Sequence, residues 1–353
     1  MARVRLVDVA AHVGVSAKTV SNVVNGTGMV SDEVRARILG VIEDLGYRPN
    51  LAARQLRGGP SGMVALVMPD LREPYFAEYA SNFSSAAQRR GMTVVVAQTQ
   101  GDRLAERRMS EGVGLPELEG LVLSPLGLTP EDIGERRSTV PLILIGEHGQ
   151  SLATSTIPHV GVDNIAAAAA ATDLLLDKGR RRIAVIGVQE HGSTATSRLR
   201  FEGYRRALAQ AGIDFDPALV GHVEHFNRAE GSQAAARLLD AGTSFDGLFC
   251  FNDTLAFGAL HTLAVRAIGG PDDVPVVGFD NIEEGRYSVP RFASVDTNMT
   301  IASDTILDIV AAPSAARLGG LQRVPFTVVD RDNDVALVPR SPTRQQAGQP
   351  VAL

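Results

Sequence analysis

The chain is 353 residues long, 44% apolar and 21% charged, with a formal net charge of −6. That length exceeds one typical domain, the apolar fraction is ample for buried cores, and no apolar run approaches the length that spans a bilayer, so neither a disordered chain nor a helical membrane protein is expected. The charge is uneven: residues 1–60 hold 8 Lys and Arg against 5 Asp and Glu, while the rest is acidic, as suits a protein that presents one end to a polyanion.

At the N-terminus, Leu6, Val9, Ala10 and Val13 follow the i, i+3, i+4, i+7 stripe of a short helix with one buried face. Gly14 supplies a flexible corner. Ser16 is placed to cap a second helix, with Val20, Val23 and Val24 as its apolar stripe. The opposite face carries Ala17, Lys18, Thr19, Ser21, Asn22 and Asn25, which are small or able to hydrogen-bond, so such a helix can lie close against a duplex and contact phosphates and base edges. A solvated helical hairpin is the plain alternative.

Ser31 suits the cap of a third helix, with Asp32 and Glu33 in the first turn, Val34, Ile38, Val41, Ile42 and Leu45 at helical spacing, and Gly46 as the stop. Next comes a short helical segment, Leu51 to Leu56, opened by Pro49-Asn50 and ended by Gly58-Gly59-Pro60. A helix this short is marginal in water until something packs on it. Arg54 and Arg57 flank Leu56, the composition of a minor-groove wedge; an interdomain linker is the alternative.

From Met63 onward, short apolar runs alternate with helical stretches. VALVM (64–68), TVVVA (93–97), GLVLS (120–124), PLILIG (141–146), RIAVIG (182–187), GLFCF (247–251) and VPVVGF (274–279) read as buried strands, with Ala166–Leu176 and Phe201–Ala211 among the helices between them. The alternation implies right-handed βαβ units and parallel sheets covered on both faces. Ligands in such sheets bind beyond the carboxyl ends of the strands. Asn252-Asp253 and Asp280-Asn281 stand there, with Glu147 and His148 as weaker candidates; Asp253 has helix capping as its stronger alternative role. Tyr75-Phe76 after the first strand and Phe226 in a polar loop offer faces for a ligand ring, although both aromatics of the first pair suit a core as well.

The single cysteine, Cys250, lies among Leu248, Phe249 and Phe251, which suggests a core residue in a reducing compartment. With an N-terminus unlike a signal peptide, the expectation is a cytoplasmic protein. Enzyme signatures are missing: no G-x-S-x-G elbow, no G-x-G-x-x-G after a strand and no G-x-x-x-x-G-K loop. His222-Val-Glu-His225 lacks a zinc spacing and a third ligand, so no metal or cofactor is expected.

DVA at 8–10, GVS at 14–16, TVS at 19–21, VVN at 23–25, GYRPN at 46–50 and the Ala53…Leu56 segment together resemble the DNA-binding region of the lactose-repressor (LacI/GalR) family of bacterial transcription regulators, and the resemblance continues through nearly the whole chain. It implies a fold of an all-α helix-turn-helix headpiece (1–48), a hinge helix and linker (49–60), and an α/β body (61–340) of two doubly wound parallel-sheet lobes similar to periplasmic binding proteins. The chain would cross between lobes near Gly161–Asp163, Pro290–Ser294 and Gln322–Thr327, and residues 341–353 would be a disordered tail. By the same resemblance Ala17, Lys18 and Asn22 read bases, Ser16, Thr19, Ser21 and Asn25 contact phosphates, and Ala53 and Leu56 enter the minor groove. Phe76, Arg200, Phe226, Asn252 and Asp280 would hold a small-molecule effector, with Asp280 accepting hydroxyls or ring nitrogens. The implied protein is a homodimeric regulator, most readily a repressor, of a pseudo-palindromic operator, with a carbohydrate-like effector bound between the lobes. A ligand-binding sensor or carrier without operator binding would explain the body and leave residues 1–59 unexplained.

Overall fold

Ser16 and Ser31 start helices here, and Gly14 and Gly46 end them. The computed structural model describes residues 4–24, 27–47, 61–190, 194–268, 273–312 and 319–331, and the chain divides into two units, residues 1–61 and 62–353. In the first unit, α1 (Leu6–Val13) ends at Gly14, whose φ of 78° is the left-handed geometry glycine tolerates. The Ser16 hydroxyl accepts from the Thr19 N–H at 3.1 Å and opens α2 (Ala17–Val24). The Ser31 hydroxyl accepts from Val34 N–H ahead of α3 (Asp32–Asp44). Val9, Ala10, Val13, Val20, Val23, Ile38 and Tyr47 close a core among these helices, and Arg37 on α3 donates to the last carbonyl of α1, Val13 O, at 2.8 Å.

The second unit holds two six-stranded sheets. The first lobe is built from β1 (Met63–Met68), α4 (Pro74–Arg89), β2 (Thr93–Gln98), α5 (Arg103–Ser110), β3 (Gly120–Leu123), α6 (Pro130–Gly134), β4 (Leu142–Leu144), α7 (Gly146–Gln150) and β5 (Pro158–Gly161). The second lobe follows with α8 (Asn164–Asp177), β6 (Ile183–Val188), α9 (Ala195–Gln210), β7 (Val220–His222), α10 (Arg228–Asp240), β8 (Gly247–Cys250), α11 (Asp253–Val265), β9 (Val276–Phe279) and β10 (Ala293–Asp296). The chain then returns with α12 (Met299–Ala311) and β11 (Gly320–Arg323) to the first lobe, and ends its described part with β12 (Thr327–Val329) in the second.

Strand order is β11-β5-β4-β3-β1-β2 in one sheet and β12-β10-β9-β8-β6-β7 in the other. The described pairings are parallel except β10 with β12. Alternate residues of β1 enter different cores: Val64, Leu66 and Met68 face one, Ala65 and Val67 the other, which is why the run is apolar throughout rather than alternating.

The chain passes between sheets three times, at 162–163, at 297–298 and at 324–326. The second passage comes later than the expected Pro290–Ser294, because Ala293–Asp296 pairs with β9 and stays in the second sheet. The PLILIG run is a three-residue strand, since Gly146 at φ 72° turns directly into α7. After α5 the chain turns at residues 111–114, with Gly112 and Gly114 at positive φ. Asn25, Ala53, Leu56 and the tail lie outside the described residues.

Candidate functional site

In the first unit, Lys18 on α2 is exposed and Ala17, Thr19, Ser21 and Asn22 are half-buried. Ala17 leans on the headpiece core. The Ser16 and Thr19 hydroxyls bond each other at 2.8 Å. Asn22 is held from behind: its carbonyl accepts from Thr27 N–H at 2.8 Å, and a Cβ at Gly28 would come within 2.7 Å of its Nδ2. The described members of the expected DNA-facing set, Ser16, Ala17, Lys18, Thr19, Ser21 and Asn22, thus stand on and beside one helix.

In the second unit a cavity of about 640 Å³ opens between the lobes. Strand ends build it: Pro69 and Asp70 follow β1, Ser124 follows β3, Gly146-Glu147 follow β4, Gln189 follows β6, Asn252 follows β8 and Asp280 follows β9. All five expected effector residues, Phe76, Arg200, Phe226, Asn252 and Asp280, line this one cavity.

Arg200 is its centre. The residue is 4% exposed. Its Nε donates to Asn164 Oδ1 at 3.0 Å, one Nη to the Phe251 carbonyl and the other to Glu147 Oε1 at 2.8 Å. Asp280 Oδ1 lies 3.7 Å from the same Nη, and the Phe279 ring lies under the guanidinium, 3.5 Å from Cζ to the ring centre. Glu147 also accepts from the Thr196 hydroxyl at 2.8 Å. Burial pushes the Glu147 carboxyl up, but the Arg200 charge, the Thr196 hydroxyl and its other hydrogen bonds outweigh that, and its pKa is lowered on balance. Asp280 goes the other way. Burial, with Asp253, Glu147 and Glu73 nearby, carries it well above the usual carboxylate range despite Arg200.

The loop carrying Asp280 is set from below. Asp280 has φ 104° and Asn281 φ 53°, conformations L residues seldom adopt. Asp280 N–H donates to Val295 O at 2.8 Å, Asn281 N–H to Ser294 Oγ at 3.0 Å and Ile282 N–H to Asp253 Oδ2 at 2.9 Å. Asp253 therefore does not cap α11, the role expected for it. Asn252 caps the helix, accepting from Leu255 N–H at 2.9 Å, while Asp253 is fully buried with Ser294 Oγ at 2.6 Å. A side chain at Gly278 would collide with that carboxylate, at 2.1 Å from Cβ to Oδ1.

Opposite stand Tyr75 and Phe76, edge to face at 5.3 Å between ring centres, and Phe226, which packs against Phe251. Ser124, Gln189, Thr194, Thr196 and Asn227 also line the cavity without having been singled out. The strand-end rule reaches Ser124 and Gln189; the others stand at helix starts, whose spatial convergence no local pattern reveals. His148 turns away, its Nε2 on the Leu128 carbonyl at 2.7 Å, and Arg198 is exposed. His225 reaches the cavity rim, whereas His222 sits 3.4 Å from Glu190. Among the described residues no His/Cys/Asp/Glu cluster could hold a metal ion, and no helix is long and apolar enough to cross a membrane.

The family described as periplasmic binding proteins and sugar binding domain of LacI family matches residues 61–318, and that of bacterial regulatory proteins, lacI family, matches residues 5–50. The chain belongs to the LacI family. Among its relatives, the HTH-type transcriptional regulator DegA of Bacillus subtilis (strain 168) is 31% identical over 82% of this chain and 85% of its own. A solved LacI-family structure from Sanguibacter keddieii DSM 10542 is 35% identical, with a TM-score of 0.70 over 77% of this chain and 98% of its own. The transcriptional regulator CelR, solved in complex with cellobiose, is 27% identical, with a TM-score of 0.65 over 93% of this chain and 99% of its own. This LacI-family chain is accordingly a DNA-binding transcription regulator whose body binds a small-molecule effector.

Proposed function

We propose that the chain is a cytoplasmic, homodimeric repressor, and that its effector is a neutral polyhydroxylated molecule of the sugar class. The observation that carries the effector class is the state of Arg200: its charge is already met by Glu147 at 2.8 Å. The other arginine lining the cavity, Arg72, is tied to Asp70 at 2.7 Å. A phosphate or carboxylate entering there would find both guanidinium groups already paired with a carboxylate. Hydroxyl groups suit the site better: they donate to carboxylates, accept from the Asn252 amide, and present C–H faces to Tyr75, Phe76 and Phe226. The relative solved with cellobiose supports this class. No catalytic step is assigned to the cleft.

On DNA, α2 would lie in the major groove, with Ala17, Lys18 and Asn22 toward base edges and Ser16, Thr19, Ser21 and Asn25 toward phosphates. Ala53 and Leu56 would enter the minor groove at the centre of a pseudo-palindromic site. Two headpieces of a dimer then read half-sites about 34–36 Å apart, or a multiple of that. An effector that prefers the DNA-incompetent arrangement of the body releases the operator.

The test is a calorimetric titration of the full chain with neutral mono- and disaccharides, sugar phosphates and nucleotides, followed by anisotropy on a DNA duplex selected from a random pool. Binding of a neutral sugar that also releases the duplex is the expected result. Selective binding of an anion overturns the effector class, and failure to retain any duplex at low salt favours the carrier reading. With the effector in hand, Arg200→Ala is expected to weaken it by about 10- to 100-fold, the worth of charge-assisted hydrogen bonds, while operator affinity stays near that of the unsubstituted chain.

A further inference from the structure

A second, much smaller cavity of about 40 Å³ lies behind the effector cleft and shares Tyr75, Ile145, Gly146 and Glu147 with it. Its walls come from all three passages between the lobes: Val162 from the first, Thr297 from the second and Val324 from the third. It is therefore a chamber at the hinge.

Three of its lining residues carry a buried polar atom with no partner in the protein: Tyr79 Oη, His159 Nδ1 and Thr297 Oγ1. They come from α4, from β5 and from the passage after β10, and they are 3%, 2% and 9% exposed. The state of the imidazole follows from its other nitrogen. His159 Nε2 lies 2.8 Å from the Gly146 carbonyl, which only accepts, so Nε2 carries the proton. Burial lowers the pKa of the ring and keeps it neutral. Nδ1 is thus an acceptor in need of a donor, and each hydroxyl can serve as donor and acceptor. Buried polar groups left unmet are destabilising, and three converging on one chamber call for a common partner.

We propose that this chamber is a structural hydration site of the hinge, holding one or two ordered water molecules that donate to His159 Nδ1 and exchange hydrogen bonds with the hydroxyls of Tyr79 and Thr297. The volume fits: one water occupies about 30 Å³ of liquid and makes about three hydrogen bonds when buried. A sugar is too large. The remaining carboxylate in the wall, Glu147, directs its oxygens to Arg200 and Thr196, which leaves no anionic oxygen assigned to a cation here. Water at such a point lets the passages shift while the hydrogen bonds re-form. Asn164, also in the chamber wall, accepts from Arg200 Nε, so the effector arginine rests on the same joint. That regulatory consequence depends on the effector reading above; the hydration site does not.

Thermal melts of the full chain need no ligand and separate the cases. If water bridges the groups, Tyr79→Phe and Thr297→Val each lower Tm by about 1–4 °C, and the double variant loses less than the sum, because both hydroxyls serve one bridge. No loss, a gain, or strictly additive losses overturn the proposal. A crystal structure of the unsubstituted chain at a resolution that places solvent is the second measurement. Density about 2.7–3.2 Å from His159 Nδ1 and from both hydroxyls is expected. A dry chamber, or density continuous with a ligand in the main cleft, overturns it.

Discussion

Asp280 stands on a backbone of φ 104°, a conformation that costs on the order of 1–3 kcal/mol and persists only where its surroundings over-determine it. Asp253 is a large part of those surroundings. It is fully buried and takes hydrogen bonds from Ile282 N–H and Ser294 Oγ. Burial pushes its carboxyl up to about 7, against the pull of those bonds and of Arg331. A carboxyl free in the unfolded chain titrates near 3.9. The folded protein therefore holds this proton more tightly than the unfolded one, so the stabilisation it brings is complete below about pH 4 and is lost as pH rises through 7. Asp253→Asn is neutral at every pH. The difference in unfolding free energy between variant and parent, measured by urea at pH 5.5, 6.5 and 7.5, is expected to move in the variant's favour by about 1 kcal/mol per pH unit. Differencing cancels titrating groups that do not feel Asp253, among them His159, whose lowered pKa acts with the opposite sign. A flat difference shows that Asp253 does not titrate in this window.

At the scale of elements, the cleft depends on how strand-end loops are pinned, and Glu106 on α5 shows the device. Its carboxylate is completely buried and accepts from the N–H groups of Leu126, Gly127 and Leu128 at 2.8, 2.9 and 3.0 Å. That loop brings Ser124, Pro125 and Leu126 to the cavity. Glu106→Gln turns an amide NH₂ toward donors that need an acceptor; a loss of about 2–3 kcal/mol in urea unfolding is expected, with weaker effector binding in calorimetry because one wall is loosened. Such an anchor is illegible in sequence, where a lone Glu on an exposed-looking helix gives no sign of a loop twenty residues on. The long apolar runs were legible and each became a strand, most because a strand buried on both faces leaves no polar position to confuse the pattern, although β2, expected as buried, is a partly exposed edge strand. Pro158–Gly161, Val220–His222, Ala293–Asp296, Gly320–Arg323 and Thr327–Val329 were not. They are three or four residues long, and all but Thr327–Val329 contain Pro, Gly, His, Asp, Gln or Arg, so pairing within the sheet decides them rather than local preference. The effector set followed the same division. Asn252 and Asp280 were reached from strand ends, whereas the grip of Glu147 on Arg200 joins residues 53 positions apart.

For the body as a whole, lobe-one carboxylates supply a recurring kind of contact between its lobes. Glu147 meets Arg200 and Thr196, Glu73 takes a long 3.4 Å bond from the Thr254 hydroxyl, and Glu78 on α4 accepts from Glu283 N–H at 2.8 Å. The first two line the effector cavity, so substituting them alters ligand contacts and lobe contacts together. Glu78 does not line it and isolates the second effect. Its carboxyl is raised by burial, against the Glu283 N–H bond, and by the nearby Glu284 and Glu283; a hydrogen bond of this kind is worth on the order of 1 kcal/mol. If this arrangement of the lobes is the one that holds the effector, Glu78→Ala lowers its population without touching the site. The effector Kd should then rise about 3- to 5-fold. Most of that change should appear as faster dissociation in stopped-flow experiments, because the removed contact acts once the lobes have met. Unchanged affinity would assign the hold on the effector to Glu147 and Arg200 alone and leave the Glu78–Glu283 contact without a part in closure.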